Sequence, residues 1–186
     1  MSFNMNGSQF LGAGNFVQVE PGTHECVLLS AEAYLNDRFN STETQPQLTL
    51  IWDTETVGER DDGSEVDLVI YDSFLNLSLN EKAKLVNRFH AVSDFEPDSV
   101  DMQIVFDNDA ITGPDHLPHR TDRKEKVNNI LLNGESIFGK RALVEVTLND
   151  NGYTKVKSVS KPLAAKAKRR KVLTEPEAQE EAIPGL

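Results

Sequence analysis

The sequence is poor in cysteine and has no long apolar run, and both absences narrow the class of protein. A single cysteine, Cys26, excludes an intramolecular disulfide and a cysteine-based zinc site. No apolar run reaches the roughly 20 residues of a membrane-spanning helix. The first stretch, MSFNMNGSQFLGAGNF, has no basic residue and does not fit a secretory signal. We therefore expect a cytoplasmic protein without a membrane partner.

The common catalytic motifs are missing as well. The sequence contains no G-x-S-x-G, no phosphate-binding glycine loop, no H-E-x-x-H and no EF-hand loop. His116 and His119 lie three residues apart, but Pro118 prevents a helix from presenting both rings on one face. The acidic run FDNDAITGPD lacks the closing glutamate of a calcium loop. We expect no enzymatic activity, no cofactor and no metal.

Negative charge is in excess, but it is unevenly distributed. The chain has 19 Lys and Arg against 30 Asp and Glu, a net charge of −11. Segments 53–67 and 94–115 each hold seven acidic residues, with only Arg60 to offset them, whereas segment 161–171 holds six basic residues. An acidic total argues against nucleic-acid binding. This distribution still leaves room for a neutral or basic face elsewhere.

Alternating apolar residues predict five strands. THECVLLSAEAYLN, QLTLIWDTETV and EVDLVIYDSFLNLS each alternate, and GERDDGSE between the last two is a hairpin turn. RALVEVTL and YTKVKSVSK flank Asn151-Gly152, the strongest hairpin signal in the chain. The phase of the second strand makes Trp52 a core residue. The residues of the first strand assigned to its buried face are Val27, Leu29, Ala31, Ala33 and Leu35.

One helix is predicted between the third and fourth strands. Ser78 and Glu81 have the spacing of a capping box, and apolar residues then recur every three or four positions as far as Val92. The acidic segment 93–118 is predicted to be irregular, apart from a short strand at MQIVF. A second, shorter helix is predicted over 123–132.

The order β-β-β-α-β-β predicts a mainly β domain over residues 21–162. It is the order of the five-stranded oligonucleotide-binding barrel, here with an acidic insertion. Another small five-stranded barrel, or an α+β sheet with one helix, fits the same pattern. Residues 1–20 are predicted to be a flexible lead, and residues 163–186 a disordered tail, first basic and then acidic. An unpaired barrel edge would allow a homodimer.

Aromatic and basic residues are interleaved as in proteins that bind single strands. Such proteins present aromatic faces for bases and cations for phosphates on one surface. In the last strand, Tyr153, Lys155 and Lys157 fall on the side opposite Val156. The predicted nucleic-acid-binding residues are Tyr34, Arg38, Tyr71, Lys140, Arg141, Tyr153, Lys155, Lys157, Lys168, Arg169 and Arg170.

Five segments of the chain together resemble a known family. PGTHECVLLSAEAYLN, LTLIWDT, VDLVIYDSFLNLS, EKAKLVNRFHAV and FGKRALVEVTLNDNGYTKVKSVSKP are similar to small bacteriophage single-stranded-DNA-binding proteins of the oligonucleotide-binding class. Gly139, Lys140, Tyr153 and Val156 match the closing hairpin of that family. The resemblance implies a protein that coats single-stranded DNA in phage replication or recombination, without sequence preference, in the host cytoplasm. It also implies that the acidic tail, 174–186, binds replication or recombination proteins.

A second function remains open from the sequence. A non-enzymatic adaptor on the same barrel would use its acidic surface to bind a basic host or replication partner, or to imitate DNA. The 14 acidic residues of segments 53–67 and 94–115 favour this alternative. A hydrolase has no specific support in the sequence.

The tail joins a basic run to the acidic EPEAQEEAIPGL, and opposite charges this close along a chain attract. We expect the acidic part to fold back on the basic run when no DNA is bound. Removing residues 174–186 should therefore tighten binding to oligo-dT, as measured by titrating the full and truncated chains in parallel. Unchanged or weaker binding by the truncated chain would contradict this fold-back.

Overall fold

A computed structural model describes residues 5–6, 9–12 and 16–163. Its elements, in chain order, are β1 Met5–Asn6, β2 Gln9–Gly12, β3 Phe16–Val19, β4 Gly22–Asp37, β5 Thr44–Glu59, β6 Glu65–Asn76, α1 Lys84–Val92, β7 Met102–Phe106, a 3-10 turn Pro114–His116, β8 Glu125–Leu132, β9 Glu135–Ser136, β10 Arg141–Leu148 and β11 Thr154–Ser160. The described chain is mainly β, as predicted. No helix within it is long and apolar enough to cross a membrane.

The long strands β4, β5 and β6 form the predicted antiparallel meander. Alternate residues of β5 point into the core, where Leu48, Leu50 and Trp52 are fully buried. Gly63 closes the β5–β6 turn: its φ of 79° suits glycine, and its N–H donates to the Arg60 carbonyl. The predicted core position of Trp52 is confirmed.

The first half of β4 departs from the predicted alternation. Leu28 is fully buried, whereas Leu29 is 52% exposed. The pairing of β4 with β5 shifts register between Leu28 and Ser30, which is a bulge. The predicted burial of Val27 and Leu29 is wrong: before the bulge Cys26 and Leu28 face the core, because a bulge changes which residues point inward. Beyond the bulge, Ala31 and Ala33 are buried as predicted.

The helix α1 begins later than predicted and without the predicted cap. Ser78 Oγ accepts the N–H of Asn80, and Asn80 Oδ1 accepts the N–H of Lys82. Both side chains therefore stabilise local turns, and the capping box does not form. Ala83, at the start of the helix, supplies no side-chain cap. The predicted apolar face is confirmed, with buried Leu85, Val86 and Phe89.

The segment predicted as a second helix is the strand β8. It pairs with β7 along one edge, and its residues 125–127 pair with 31–33 of β4 along the other. The helix over 123–132 is wrong because hydrogen bonds to two distant strands override a weak local preference. The short strand predicted at MQIVF is confirmed as β7.

The hairpin of β10 and β11 completes the main sheet. β10 also pairs with β4, so five strands run in the order β11-β10-β4-β5-β6. Among the described residues no ladder joins β6 to β11, and the sheet is open. The turn between β10 and β11 contains Gly152 at φ 78°, in the predicted Asn-Gly signal.

The strand β3 lies at this opening. We predicted a flexible lead up to residue 20, whereas Phe16–Val19 pair with β2 and Val19 is 3% exposed. Gln18 Oε1 accepts the N–H of Thr154 at 2.7 Å, which links β3 to the start of β11, and β3 also packs against β6. Residues 16–19 therefore belong to the folded unit.

A buried ion pair joins α1 to the sheet. Arg88 Nε donates to Asp72 Oδ2 of β6 at 2.7 Å, and the two side chains are only 8% and 5% exposed. Burial raises the pKa of Asp72, and the hydrogen bond from Arg88 opposes that rise. Because both side chains are buried, water cannot take the place of either partner. The position of the helix therefore depends on the pair.

Asp72→Ala is expected to lower the free energy of unfolding by about 3–5 kcal/mol, because it leaves the Arg88 guanidinium buried without its partner. Urea unfolding followed by circular dichroism measures the change. Asp94→Ala is the matched control, since it removes an exposed carboxylate paired with Lys161, and its midpoint should equal that of the wild type. Equal midpoints for all three chains would contradict the role given to the pair.

Candidate nucleic-acid interface

The basic side chains of β11 and the aromatic residue just before it are exposed, as predicted. Tyr153 is 44% exposed, Lys155 and Lys157 are also exposed, and Val156 is 8% exposed. Val156 lies opposite Val146 of β10, which is buried, so pairing within the hairpin sets this alternation. The expected phase of β11 is confirmed.

The lysines of β11 share a groove with the helix. The groove has a volume of about 520 Å³, and we call it the cationic groove, lined by Lys84, Asn87, Lys155 and Lys157. Asp150 of the β10–β11 turn also lines it. Among the described residues, Lys84 and Lys155 form no ion pair. Packing of α1 on β10 and β11 thus adds a helix lysine to the strand lysines.

Lys157 already has a partner on the neighbouring strand. Its Nζ lies 2.8 Å from Oε1 of Glu145, and Ser158 Oγ donates to the other oxygen. These hydrogen bonds, that of Lys157 first, lower the pKa of Glu145. Exposed ion pairs contribute little stability. A phosphate in the cationic groove can therefore compete with Glu145 for this lysine.

Tyr71 lies in a second groove, at the opening between β6 and β11. It is 47% exposed, on the side of β6 opposite the buried Ile70, as predicted. This tyrosine groove, of about 260 Å³, is also lined by Arg60, Asp67 and Thr154. The fold therefore places Tyr71 beside Thr154, the residue that follows Tyr153. It also places the carboxylate of Asp67 in the same groove.

Tyr34 is fully buried, contrary to the exposure that we predicted. Its hydroxyl accepts the N–H of Phe74 at 3.2 Å and lies 3.3 Å from Thr49 Oγ1. Lys124, just before β8, lies over its ring with Nζ 5.5 Å from the centroid. The residue does point away from the buried Ala33, but Lys124, in the segment that follows the acidic insertion 93–118, covers it on that side of β4. The ring of Tyr34 has no free face for a base.

Three predicted cations lie away from the cationic groove. Lys140 and Arg141 stand at the start of β10, roughly 25–30 Å by strand rise from Tyr153 at its other end. Arg141 makes a bidentate pair with Glu55 at 2.6 and 2.9 Å, which raises the pKa of the arginine. Arg38 lies in the β4–β5 loop, where an exposed glutamate pairs with it at 3.3 Å. The fold does not bring these residues together with Tyr153.

The remaining predicted cations, Lys168, Arg169 and Arg170, lie outside the described residues, as does the tail 174–186. Lys161, the first base of the run, is described, and it pairs with Asp94 of the acidic insertion. That contact lowers the pKa of Asp94 through the hydrogen bond from Lys161.

Phe74 and Arg120 were not predicted as site residues, yet they form an exposed aromatic–cation pair. Phe74 is 54% exposed and has φ 62°, a left-handed backbone that is rare for a bulky residue. The pairing of β5 with β6 shifts register between Leu48 and Leu50, opposite this part of β6. The Arg120 guanidinium lies 5.4 Å from the centroid of the ring. A pattern of period two cannot reveal such a bulge.

Within the part of the chain that the structure describes, no group of three or more His, Cys, Asp or Glu side chains is placed to hold a metal ion. His119 Nε2 instead lies 3.1 Å from Asp37 Oδ1. Burial raises the pKa of Cys26 to about 12, so its thiol stays protonated at neutral pH.

No family model, no curated protein and no solved structure matches the chain. The resemblance to phage single-stranded-DNA-binding proteins, which depends on segment order and the closing hairpin, stays a prediction. Function is therefore inferred from the geometry of the described residues.

Tyr34→Phe removes the hydroxyl that accepts the Phe74 N–H, and should lower the free energy of unfolding by about 1 kcal/mol. Tyr71→Phe is the matched control, since it removes an exposed hydroxyl and should change nothing. Urea unfolding of both variants measures the difference. The hydrogen bond would have no structural role if Tyr34→Phe unfolded at the wild-type midpoint.

Proposed function

We propose that this protein binds single-stranded DNA without sequence preference, along the cationic groove and over Tyr153. The convergence of lysines from two elements carries the proposal. Lys155 and Lys157 come from β11 and Lys84 from α1, and all three line one groove. The exposed Tyr153 donates its N–H to Asn149, which also lines that groove. Cations that follow the phosphates, together with an aromatic face for stacking, are what a single-strand-binding surface requires.

The type of side chain in the cationic groove supports binding without sequence preference. Lysine contacts phosphates, which every nucleotide carries, and a tyrosine face stacks on any base. Tyr71 provides a second exposed ring, in the tyrosine groove. The tyrosine groove holds one carboxylate, Asp67, against one cation, whereas the cationic groove holds one carboxylate against three lysines, so the tyrosine groove is the weaker place for phosphate.

The order of elements supports the oligonucleotide-binding class. β4, β5 and β6 precede α1, and β10 and β11 follow it as a hairpin. Barrels of that class are partly open. We include such a barrel in the proposal: its gap lies between β6 and β11, and β3 lies beside that gap. Coating of single strands in phage replication or recombination, and recruitment of partner proteins by the tail 174–186, belong to the same proposal.

A second candidate is an adaptor that binds a basic partner through its acidic surface. The β5–β6 turn favours it, because Asp61, Asp62, Glu65 and Asp67 are all exposed there. The bidentate hold of Glu55 on Arg141 also removes a predicted DNA contact. Recovery of a polymerase or nuclease in a pull-down with the DNA digested away would favour the adaptor.

Lys155→Ala should weaken binding to oligo-dT at low salt and reduce the slope of log affinity against log salt by about 0.7, the amount expected for one phosphate contact on a single strand. Tyr153→Ala should cost about 1–3 kcal/mol of binding free energy by loss of stacking. Fluorescence anisotropy of a labelled oligonucleotide measures both quantities.

Lys126→Ala is the control for both variants, because this exposed β8 lysine lines neither groove and should leave affinity and slope unchanged. The proposal fails if the wild-type chain does not bind oligo-dT at low salt. It also fails if Lys155→Ala and Tyr153→Ala bind as tightly as Lys126→Ala.

A further inference from the structure

Phe74 is an exposed aromatic residue that its neighbours hold in a costly backbone conformation. A φ of 62° is unfavourable for a bulky side chain and persists only where the surroundings impose it. Here the buried hydroxyl of Tyr34 accepts the Phe74 N–H, and Thr49 Oγ1 lies 3.3 Å from the same hydroxyl. The fold therefore keeps an apolar ring turned toward solvent, which packing alone does not favour.

Phe74 lines a groove that has the size and the chemistry of a nucleotide site. The groove has a volume of about 520 Å³, within the range of small-ligand pockets. We call it the Phe74 groove, lined by Phe74, Asn76, Asn80, Lys82 and Lys84. An aromatic face, amide groups and two cations are the partners that a base and its flanking phosphates need.

The Phe74 groove and the cationic groove meet at one residue. Lys84, the first residue of α1, lines both of them. Lys82, two residues earlier, lines only the Phe74 groove. The lysines 82, 84, 155 and 157 thus form one row of cations from the start of α1 to β11.

Arg120, in the segment that follows the acidic insertion 93–118, covers one face of the Phe74 ring. The guanidinium lies 5.4 Å from the ring centroid, and its Nε donates to Asn36 Oδ1 at 3.2 Å. The backbone N–H of Arg120 also donates to the carbonyl of Leu35 at 2.8 Å, which fixes this segment on β4. Because the ring remains 54% exposed, its other face is open to a base.

We propose that the Phe74 groove is a second nucleotide-binding site, in which a base stacks on Phe74 while Lys82 and Lys84 bind the adjoining phosphates. A single DNA strand then passes from Tyr153 along the cationic groove, over Lys84, and on to Phe74. This inference rests on the proposed function. It adds the path that the DNA strand follows and the groove in which that path ends.

The first test is photo-cross-linking of the full chain to oligo-dT that carries 5-iodouracil, a base analogue that couples to aromatic rings stacked on it. Peptide mapping should find cross-links at both Phe74 and Tyr153. Cross-links at Tyr153 without any at Phe74 would overturn the second site and leave the proposed function standing. An oligonucleotide that does not bind at all would overturn both.

The second test compares oligo-dT lengths from about 4 to about 16 nucleotides, the range of site sizes of such domains. Phe74→Ala should weaken the longest oligonucleotide about fivefold or more, the lower limit for loss of one stacked base. It should leave the shortest unchanged, because that one occupies the cationic groove alone. Equal affinity of Phe74→Ala and wild type at every length would overturn the second site.

Two further variants separate a binding role from a structural one. Phe39→Ala removes another exposed aromatic residue, in the β4–β5 loop outside both grooves, and should bind every length as the wild type does. Phe74→Gly suits the φ of 62° and should melt at or above the temperature of Phe74→Ala while binding long oligonucleotides equally weakly. Wild-type affinity of Phe74→Gly for the longest oligonucleotide would also overturn the second site.

Discussion

The buried ion pair between Arg88 and Asp72 determines where α1 lies on the sheet, and the candidate interface depends on that position. A guanidinium and a carboxylate that are both more than nine-tenths buried satisfy each other only in one geometry, so the helix cannot slide along β6 without isolating a charge. With α1 held there, its first residue, Lys84, stands between the lysines of β11 and the end of β6. The Arg88–Asp72 ion pair therefore also determines the spacing between Lys84 and the lysines of β11.

The segment 119–124, between the acidic insertion and β8, has a structural role. β8 pairs with β4 beyond the end of β10, and the chain leading into it places Lys124 over Tyr34 and Arg120 over Phe74. This segment thus covers one aromatic residue and positions another. The carboxylates of the acidic insertion 93–118, like those of the β5–β6 turn, line neither the cationic groove nor the Phe74 groove. This separation explains how a chain with a net charge of −11 still presents a row of lysines.

About half of the candidate site could be predicted from the sequence. Tyr71 and Lys155 have the expected exposure because each sits in a regular stretch of its ladder, where alternation decides the face. Tyr153, just before β11, and Lys157, at a register shift of the β10–β11 ladder, are exposed as well. Tyr34 has the expected direction but not the expected exposure, since the segment that covers it lies some 90 residues further along the chain. Phe74 was missed because a bulge interrupts the alternation, and Lys82 and Lys84 because lysines on a helix surface carry no signal of what faces them.

The sequence by itself determined the strands β4, β5, β6, β10 and β11, the face of α1 that is buried and the turns at Gly63 and Gly152. Periodicity and turn chemistry are local properties, so they survive without knowledge of the fold. Only the tertiary structure decided that 125–132 is a strand, that residues 16–19 fill the opening of the sheet, and which lysines share a groove with an aromatic ring. These features depend on contacts between segments that are distant in the chain. A local sequence pattern contains no information about the energies of such contacts.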